Sequence, residues 1–498
     1  MISRRFFLAG TTAVAWAASA RAAGGAPVFT LGVASGSPRP DGVVLWTRLA
    51  PKPLEGGGMP AGTTFVRWRL ASDASMQRVV REGTAETSDA DGHSVHVVLR
   101  GLEPGREYWY QFHFDGQDSP VGRTKTADPA ALGARLALAS CNHYETGHFA
   151  AYADIARMAP DCVIHVGDYI YEGAGGSPRP GLVRQHTGQE IATLWDYRNR
   201  YALYRLDPAL QAAHAASPWI LAFDDHEVDN NWAGETPQDP EKQTPLEFKL
   251  RKLAAFKAYY ENMPIERPPV LSGLDSEIRL YDTYRFGPAQ VHLIDTRQYR
   301  SDQPCGDNIP TTAGCREHLD PNLTMTGAVQ ERWLFDQLAR STATYNVIAS
   351  QTWLAPYRYS ADRTIPAVNM DQWDGYPVQR QRVIDALAAS KGKPVVLSGD
   401  WHCAAAMRIH RDPENPRSPR VGHNFAGTSV SSLCSWWERL RDAKALNPHV
   451  DHVNGAQRGY LGIAIDRSGW TSDFRVVEDA MRPDSAVRSE LSLRLTDT

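Results

Sequence analysis

The sequence predicts an α/β fold preceded by an all-β module, and three observations carry that prediction. From residue 135 onward, short apolar runs alternate with amphipathic stretches of helical length, the pattern of strands covered by helices. Before that point, apolar and polar residues alternate in short segments between Gly, Pro and Asp turns, the period of half-buried strands. The composition of the 498 residues, 42% hydrophobic and 22% charged, disfavours a collagen, a coiled coil, a disordered chain or a polytopic membrane protein.

The N-terminus reads as an address rather than as fold. Ser3-Arg4-Arg5-Phe6-Phe7-Leu8 precedes a short Ala/Thr-rich apolar run, and Ala20-Arg21-Ala22 fits a small-x-small cleavage site. Residues 1–22 are expected to be a twin-arginine signal peptide, which makes the translocation machinery an export partner and places the mature protein in the periplasm or outside the cell. The run is too short and too weakly apolar for a stable membrane span.

Residues 28–127 form the predicted all-β module, with strands at 42–48, 64–71, 93–100 and 107–114. Tyr108, Tyr110 and Phe112 share one face of the last strand, behind a Leu102-Glu-Pro104 turn. This resembles a fibronectin type III sandwich, with packing as its expected role. A linker is expected at 124–133. The core that follows has buried strands at 136–140, 162–166, 219–223, 291–294, 347–350 and 394–398. Helices are expected at 149–158, 191–213, 246–262, 327–339 and 378–389. Later strand-like segments at 408–410, 421–426, 462–466 and 470–476 complete a second sheet. Residues 135–480 are expected to be the catalytic domain and 481–498 a C-terminal tail.

In an exported chain, Cys305 and Cys315 close a short Gly/Pro/Asn-rich loop and are expected to pair. Cys162 reads as a buried small hydrophobe. The pairing of Cys403 and Cys434 stays open. Lys and Arg (53) nearly balance Asp and Glu (57), for a formal charge of −4 without charged blocks. That excludes a basic nucleic-acid footprint but leaves room for a small anionic substrate.

The chemistry gathers just after the predicted strands, where open α/β sheets place their sites. Ser140-Cys141-Asn142-His143-Tyr144, Gly167-Asp168-Tyr169-Ile170-Tyr171-Glu172, Asp224-Asp225-His226-Glu227-Val228-Asp229-Asn230-Asn231, Gln351-Thr352-Trp353 and Gly399-Asp400-Trp401-His402-Cys403 follow in order. Carboxylates, amides, imidazoles, a phenol and a thiol at five strand ends are the donor set of a multi-metal site. Asp168 alone could be a helix cap. Its recurrence at Asp225 and Asp400, each near a histidine, argues for a cluster, and Asp400-x-His402 puts two side chains on one side of an extended segment. Arg184, His186, Arg198 and Arg205 surround the following helical stretch and are candidate phosphate contacts.

These motifs resemble the binuclear metallophosphoesterases, most closely the PhoD-like alkaline phosphatase branch, over nearly the whole chain. The resemblance implies a four-layer α-β-β-α core behind a fibronectin type III-like β-sandwich. It implies Cys141, Asp168, Tyr171 and His402 as ligands of a ferric ion, with Asp168 bridging towards calcium held by Asp225, Asn231 and Asp400. His226 would be the general acid or phosphate-contacting imidazole. The usual Asp-x-His is here Cys141-Asn142-His143, Gln351 stands where the superfamily has a histidine, and the usual His-x-His is Asp400-x-His402. These departures favour Fe3+ with Ca2+ over zinc or manganese.

The implied activity is release of phosphate from small phosphate esters, monoesters and diesters, by a metal-activated oxide or hydroxide. Two other readings compete: a phosphodiesterase of phospholipase D type, and a non-catalytic binding module. The chain has no Gly-x-Ser-x-Gly elbow, Walker A loop or His-Glu-x-x-His motif.

Overall fold

A computed structural model describes residues 26–176, 181–306 and 309–495. The expected signal segment, 1–22, lies outside the described residues. Two large sheets dominate. The first runs, in strand order, Val487–Arg494, Gly469–Val477, Gly459–Asp466, Ala134–Ala139, Cys162–Val166, Pro218–Ala222, Val33–Arg39, Gly42–Arg48, Ser94–Leu99. Its centre is parallel and its flanks antiparallel. The second has seven strands, with Ala289–Leu293, Tyr345–Ala349, Lys393–Ser398 and Arg420–Ala426 parallel at its centre.

Period-two alternation explains how short apolar runs hold these sheets. Leu136 and Leu138, Ile164 and Val166, Ile220 and Ala222 pack with Val291, Val347, Val395 and Phe425 of the other sheet. The intervening Ala137, Val163, Trp219 and Leu221 pack with Tyr152, Ile155, Tyr201, Leu210 and Phe256 of the covering helices. On the second sheet Ile348 and Val396 meet Leu334, Leu338, Val383 and Leu387. Both faces of each central strand are therefore buried, which is why these strands read as continuous apolar runs.

The helices begin where the sequence supplies caps. Thr193 with Asp196 and Thr244 with Glu247 form capping boxes at Leu194–Arg205 and Pro245–Asn262. The single helix expected at 191–213 is two helices, Leu194–Arg205 and Pro208–Ala216. Pro208 cannot donate to the preceding turn, and Asp207 Oδ1 instead caps the second helix, accepting from Ala209 N at 2.9 Å and Leu210 N at 3.2 Å.

The all-β module is not a separate body. Its strands Val33–Arg39, Gly42–Arg48 and Ser94–Leu99 belong to the nine-stranded sheet, joined through the parallel pairing of Ser35 with Pro218. Only Thr63–Ala71, Val79–Ser88, Glu107–Phe114, Gln117–Asp118 and Gly122–Lys125 form its own antiparallel sheet, and Tyr108, Tyr110 and Phe112 are buried between the two. Thr124 and Lys125, expected in the linker, belong to the last of these strands. The segment expected as a tail, 481–498, carries Val487–Arg494, which pairs with Gly469–Val477 at the edge of the large sheet. Among the described residues, no helix is long and apolar enough to cross a membrane.

Candidate metal centre

Parallel strands deliver their C-terminal loops to one edge. Ala134–Ala139 leads to Cys141, Cys162–Val166 to Asp168 and Tyr171, Pro218–Ala222 to Asp224, Asp225, His226 and Asn231, and Lys393–Ser398 of the other sheet to Asp400 and His402. Five of these residues take a backbone conformation rare outside glycine: φ is +59° at Cys141, +57° at Asp168, +53° at Asn231, +60° at Asp400 and +50° at His402. Such strain persists only where the surroundings enforce it. Glu227 supplies much of that enforcement. Its carboxylate accepts from the backbone N–H of Asp168 (3.0 Å), Tyr169 (2.5 Å) and Asp224 (2.9 Å), so one buried side chain fixes two strand-end loops.

The donor atoms form overlapping sets. One atom each from Cys141, Asp168 and His402 lie within 4.8 Å of one another, as do atoms from Asp168, Asp225 and His226, and from Asp224, Asp225 and Asp400. Asp168 belongs to two sets and Asp225 to two. Tyr171 joins the first, its Oη 2.8 Å from Asp168 Oδ2, 3.0 Å from His402 Nε2 and 2.8 Å from Ser432 Oγ. Asn231 lines the same cavity and donates its backbone N–H to Asp225 Oδ2 at 2.9 Å.

Three oxygens in this cluster, Asp168 Oδ1, Asp224 Oδ2 and Asp225 Oδ1, are buried without a hydrogen-bond partner. Buried carboxylate oxygens without partners are costly, and cations supply the missing partner. The donors therefore fit bound metal: thiol, phenol and imidazole at one end, oxygens alone at the other. Burial, with Asp168 and Asp400 nearby, pushes the Cys141 thiol up, and burial does the same to Asp224 and Asp400 despite Arg297. Asp225 is held below the usual carboxylate range: burial opposes this, but Arg297 and His226 overcome it.

Beside the candidate ligands stands a buried ion network. Arg297 donates to Asp224 Oδ1 at 2.5 Å and makes a two-pronged contact with Asp371 at 2.8 Å and 2.8 Å. Arg300 meets Asp371 at 3.0 Å, and Gln372 donates to Asp400. His226 Nδ1 lies 2.7 Å from Glu172 Oε2. Burial alone would lower this imidazole, yet Glu172, Asp225 and Asp168 raise it well above its ordinary range. The cavity beyond, about 490 Å³, is lined by Asp225, His226, Asp400 and His402 together with Tyr359, Trp401, Trp436 and Arg439.

The four expected phosphate contacts do not reach this cavity. Arg184 pairs with Asp207 at 2.6 Å and lies over the rings of Tyr144 and Phe149. His186 is buried, with Nε2 3.0 Å from Tyr204 Oη. Arg198 is clamped by both oxygens of Glu261 at 2.6 Å. Arg205 is buried over Trp46, donating to Asn262 O at 2.7 Å, at the seam with the β module. Arg184 and His186 touch the first site loop, Arg184 donating to Tyr144 O at 2.9 Å and the His186 ring lying 5.4 Å from that of His143, without lining the cavity.

Several contributors escape sequence reading. Arg297 follows the strand Ala289–Leu293 as part of Asp295-Thr296-Arg297, the same strand-end signal as the other loops. Ser432 and Arg439 come from a loop and a short helix with no motif, and Asp371 from an irregular segment. Gln351 is structural: its Oε1 accepts from Thr296 N and Oγ1 and its Nε2 donates to Ile294 O, tying two strand ends together. Cys305 and Cys315 are joined in a disulfide, while Cys141, Cys162, Cys403 and Cys434 are free and buried.

A strand-end cluster of this composition is of the class that can hold metal ions. A family model described as PhoD-like phosphatase matches residues 136–474, and one described as PhoD-like phosphatase, N-terminal domain, matches residues 14–128. Alkaline phosphatase D of Bacillus subtilis (strain 168) is 42% identical over 477 residues, 93% of this chain and 80% of that protein. A solved structure of PhoD superposes with a TM-score of 0.88 at 40% identity, covering 95% of this chain and 91% of that one. The chain belongs to the PhoD-like phosphatase family and is a phosphatase.

Proposed function

We propose that this phosphatase is an exported, metal-dependent phosphoric ester hydrolase acting on small monoesters and diesters. The observation that carries the metal reading is Asp168: shared by two donor sets, its Oδ1 buried and without a hydrogen-bond partner. Cys141, Asp168, Tyr171 and His402 would hold Fe3+, and Asp225, Asn231 and Asp400 would hold Ca2+, with Asp168 between them. The soft and phenolic donors at one end and oxygens at the other support that division over two zinc or manganese ions. Bound there, the metals supply Lewis acidity and activate water for in-line attack at phosphorus.

The chain's own residues do the rest. Glu172 engages His226 Nδ1, leaving Nε2 to give a proton to the departing ester oxygen. Arg297 holds Asp224 and Asp371 in place, so the carboxylates need not reorganise as charge develops. The three hydrophobic layers support reading the core as a four-layer α-β-β-α arrangement over 135–480, and the two-sided packing of 28–127 supports a fibronectin type III-like sandwich that shares one sheet with it. The Arg4-Arg5 segment supports export by the twin-arginine route to the periplasm or beyond.

Metal analysis of the exported protein, beside hydrolysis of chromogenic monoester and diester with and without EGTA, tests this reading. Near-stoichiometric iron with calcium, and activity that EGTA abolishes and calcium restores, is the expected result. Zinc or manganese in place of iron would overturn the ferric assignment. Replacing Arg4 and Arg5 by Lys is expected to retain the protein in the cytoplasm.

A further inference from the structure

The cavity exceeds what a phosphoryl group needs, and its lining is part acidic and part aromatic. Trp401 Nε1 donates to Tyr359 Oη at 2.9 Å, the Trp401 and Trp436 rings lie 5.2 Å apart, and Trp436 stacks on His402 at 5.2 Å and 29°. Trp401 stands between Asp400 and His402 in the chain, so this wall is fixed to the centre by the backbone itself. An ester with its phosphorus at the centre has organic substituents beside these rings, which offer a flat face to a flat group.

Arg439 is exposed and is the one Lys or Arg lining the cavity among the described residues. Its guanidinium lies 5.2 Å over the Tyr359 ring. Arg184, Arg198, Arg297 and Arg300 all face carboxylates, whereas Arg439 has no ion pair or hydrogen bond among the described residues and is exposed. A cation seated on an aromatic platform in the lining of a cavity that is also acidic is matched to an anion on a substituent of the substrate.

We infer that Tyr359, Trp401, Trp436 and Arg439 form a subsite for the second substituent of a phosphodiester, favouring one that carries a ring against the aromatic wall and a negative charge at Arg439. The inference rests on the phosphoric ester hydrolase reading of the centre. In the step it serves, phosphorus gains the oxygen of water, the bond to the leaving oxygen breaks, and the retained substituent leaves as its monoester with the subsite's charge contact intact.

A matched pair of probes tests it: thymidine 5′-(p-nitrophenyl phosphate) with and without a 3′-phosphate, which release the same phenol and differ in the distal charge. Initial rates of p-nitrophenol release are compared for the metal-loaded full chain, Arg439→Gln, Arg439→Lys and Trp436→Ala, with p-nitrophenyl phosphate reporting whether the centre works. The wild type is expected to favour the 3′-phosphorylated diester in kcat/KM by about tenfold, the scale of one charge-assisted contact. Arg439→Gln should bring that ratio near one, Arg439→Lys should keep part of it, and Trp436→Ala should lower kcat/KM on both diesters with the ratio retained. A wild-type ratio near one, or a ratio that survives in Arg439→Gln, overturns the subsite. Failure of the wild type to hydrolyse p-nitrophenyl phosphate and both diesters would instead overturn the reading of the centre, and the subsite with it.

Discussion

Glu172 Oε2 lies 2.7 Å from His226 Nδ1, while Glu172 Oε1 accepts from Asn230 N at 2.9 Å. From the second strand-end loop, one carboxylate thus orients an imidazole of the third and the turn that follows it. If His226 protonates the leaving oxygen, its value depends on how badly the leaving group needs a proton. His226→Asn is expected to lower kcat about a hundredfold on an alkyl phosphate and far less on p-nitrophenyl phosphate, whose phenolate leaves unaided. Glu172→Gln should show the same selectivity in weaker form. Equal losses on both substrates would remove His226 from the proton-donating role.

Arg297 is fully buried and faces Asp224, Asp225 and Asp371. Deleting its charge removes the one cation shared by three buried carboxylates and leaves Asp371 only Arg300, a change that typically destabilises by about 3–5 kcal/mol. Arg297→Met is expected to unfold at markedly lower urea concentration than wild type in EGTA, with calcium recovering part of the loss. A midpoint unchanged in EGTA would show that the network contributes nothing to folding.

The fold was legible where alternation and length agree. Runs such as 162–166 and 107–114 read as strands because every or every second residue is buried, and both coincide with the observed elements. What escaped were relationships between distant segments. Nothing in Val33–Arg39 announces that it pairs with Pro218–Ala222 across almost two hundred residues, so the β module read as self-contained. The candidate ligands were legible because each follows a buried strand, and the donor sets that include Cys141, Asp168, Asp225, Asp400 and His402 join what the sequence only places in order. The phosphate-contact candidates do not line the cavity, for the converse reason. Arg184 and Arg198 are near the site loops in sequence, but partner choice is set in three dimensions by Asp207 and Glu261.

Buried neutral histidines make the fold acid-sensitive. His165 and His214 are fully buried; burial holds His165 down to about 3 and His214 well below its ordinary range. The unfolded chain takes up protons near pH 6.5 while the folded one refuses them, so stability is full above that pH and falls as pH drops from 6.5 towards 3. His165 contributes a loss of about 2 kcal/mol by pH 5, and His214 adds a loss of the same sign. Urea denaturation at pH 8 and pH 5 measures it. His214→Phe, which keeps the stack on Trp219, should reduce the difference, and an undiminished difference would assign the acid limb elsewhere.

The Cys305–Cys315 bond closes a loop that reaches the cavity through Ile309. A cross-link over ten residues is worth about 3 kcal/mol in the chain-entropy account. The double variant Cys305→Ser, Cys315→Ser is expected to unfold at lower denaturant by that order and to raise KM more than it lowers kcat, since the loop contributes wall rather than chemistry. A selective fall in kcat would place the loop in the reaction.

Tyr171 Oη stands within hydrogen-bond distance of Asp168, His402 and Ser432, and Ser432 Oγ also donates to Cys141 O at 2.7 Å. Burial, with Asp168 and Cys141 beside it, pushes the phenol well above its usual range, so without a cation Tyr171 is neutral. A trivalent ion at this set would reverse that preference and bind the phenolate. Iron-loaded protein is then expected to absorb visible light through a phenolate-to-iron transition. Tyr171→Phe should abolish the band, and Cys141→Ser should shift it while leaving it present. Ser432→Ala tests position apart from ligation: it removes a partner of the phenol without removing the phenol, so the band should move slightly and persist. A band unaffected by Tyr171→Phe in protein that still holds iron would exclude the phenolate as a ligand and leave Cys141, Asp168 and His402 as the donors at that end of the centre.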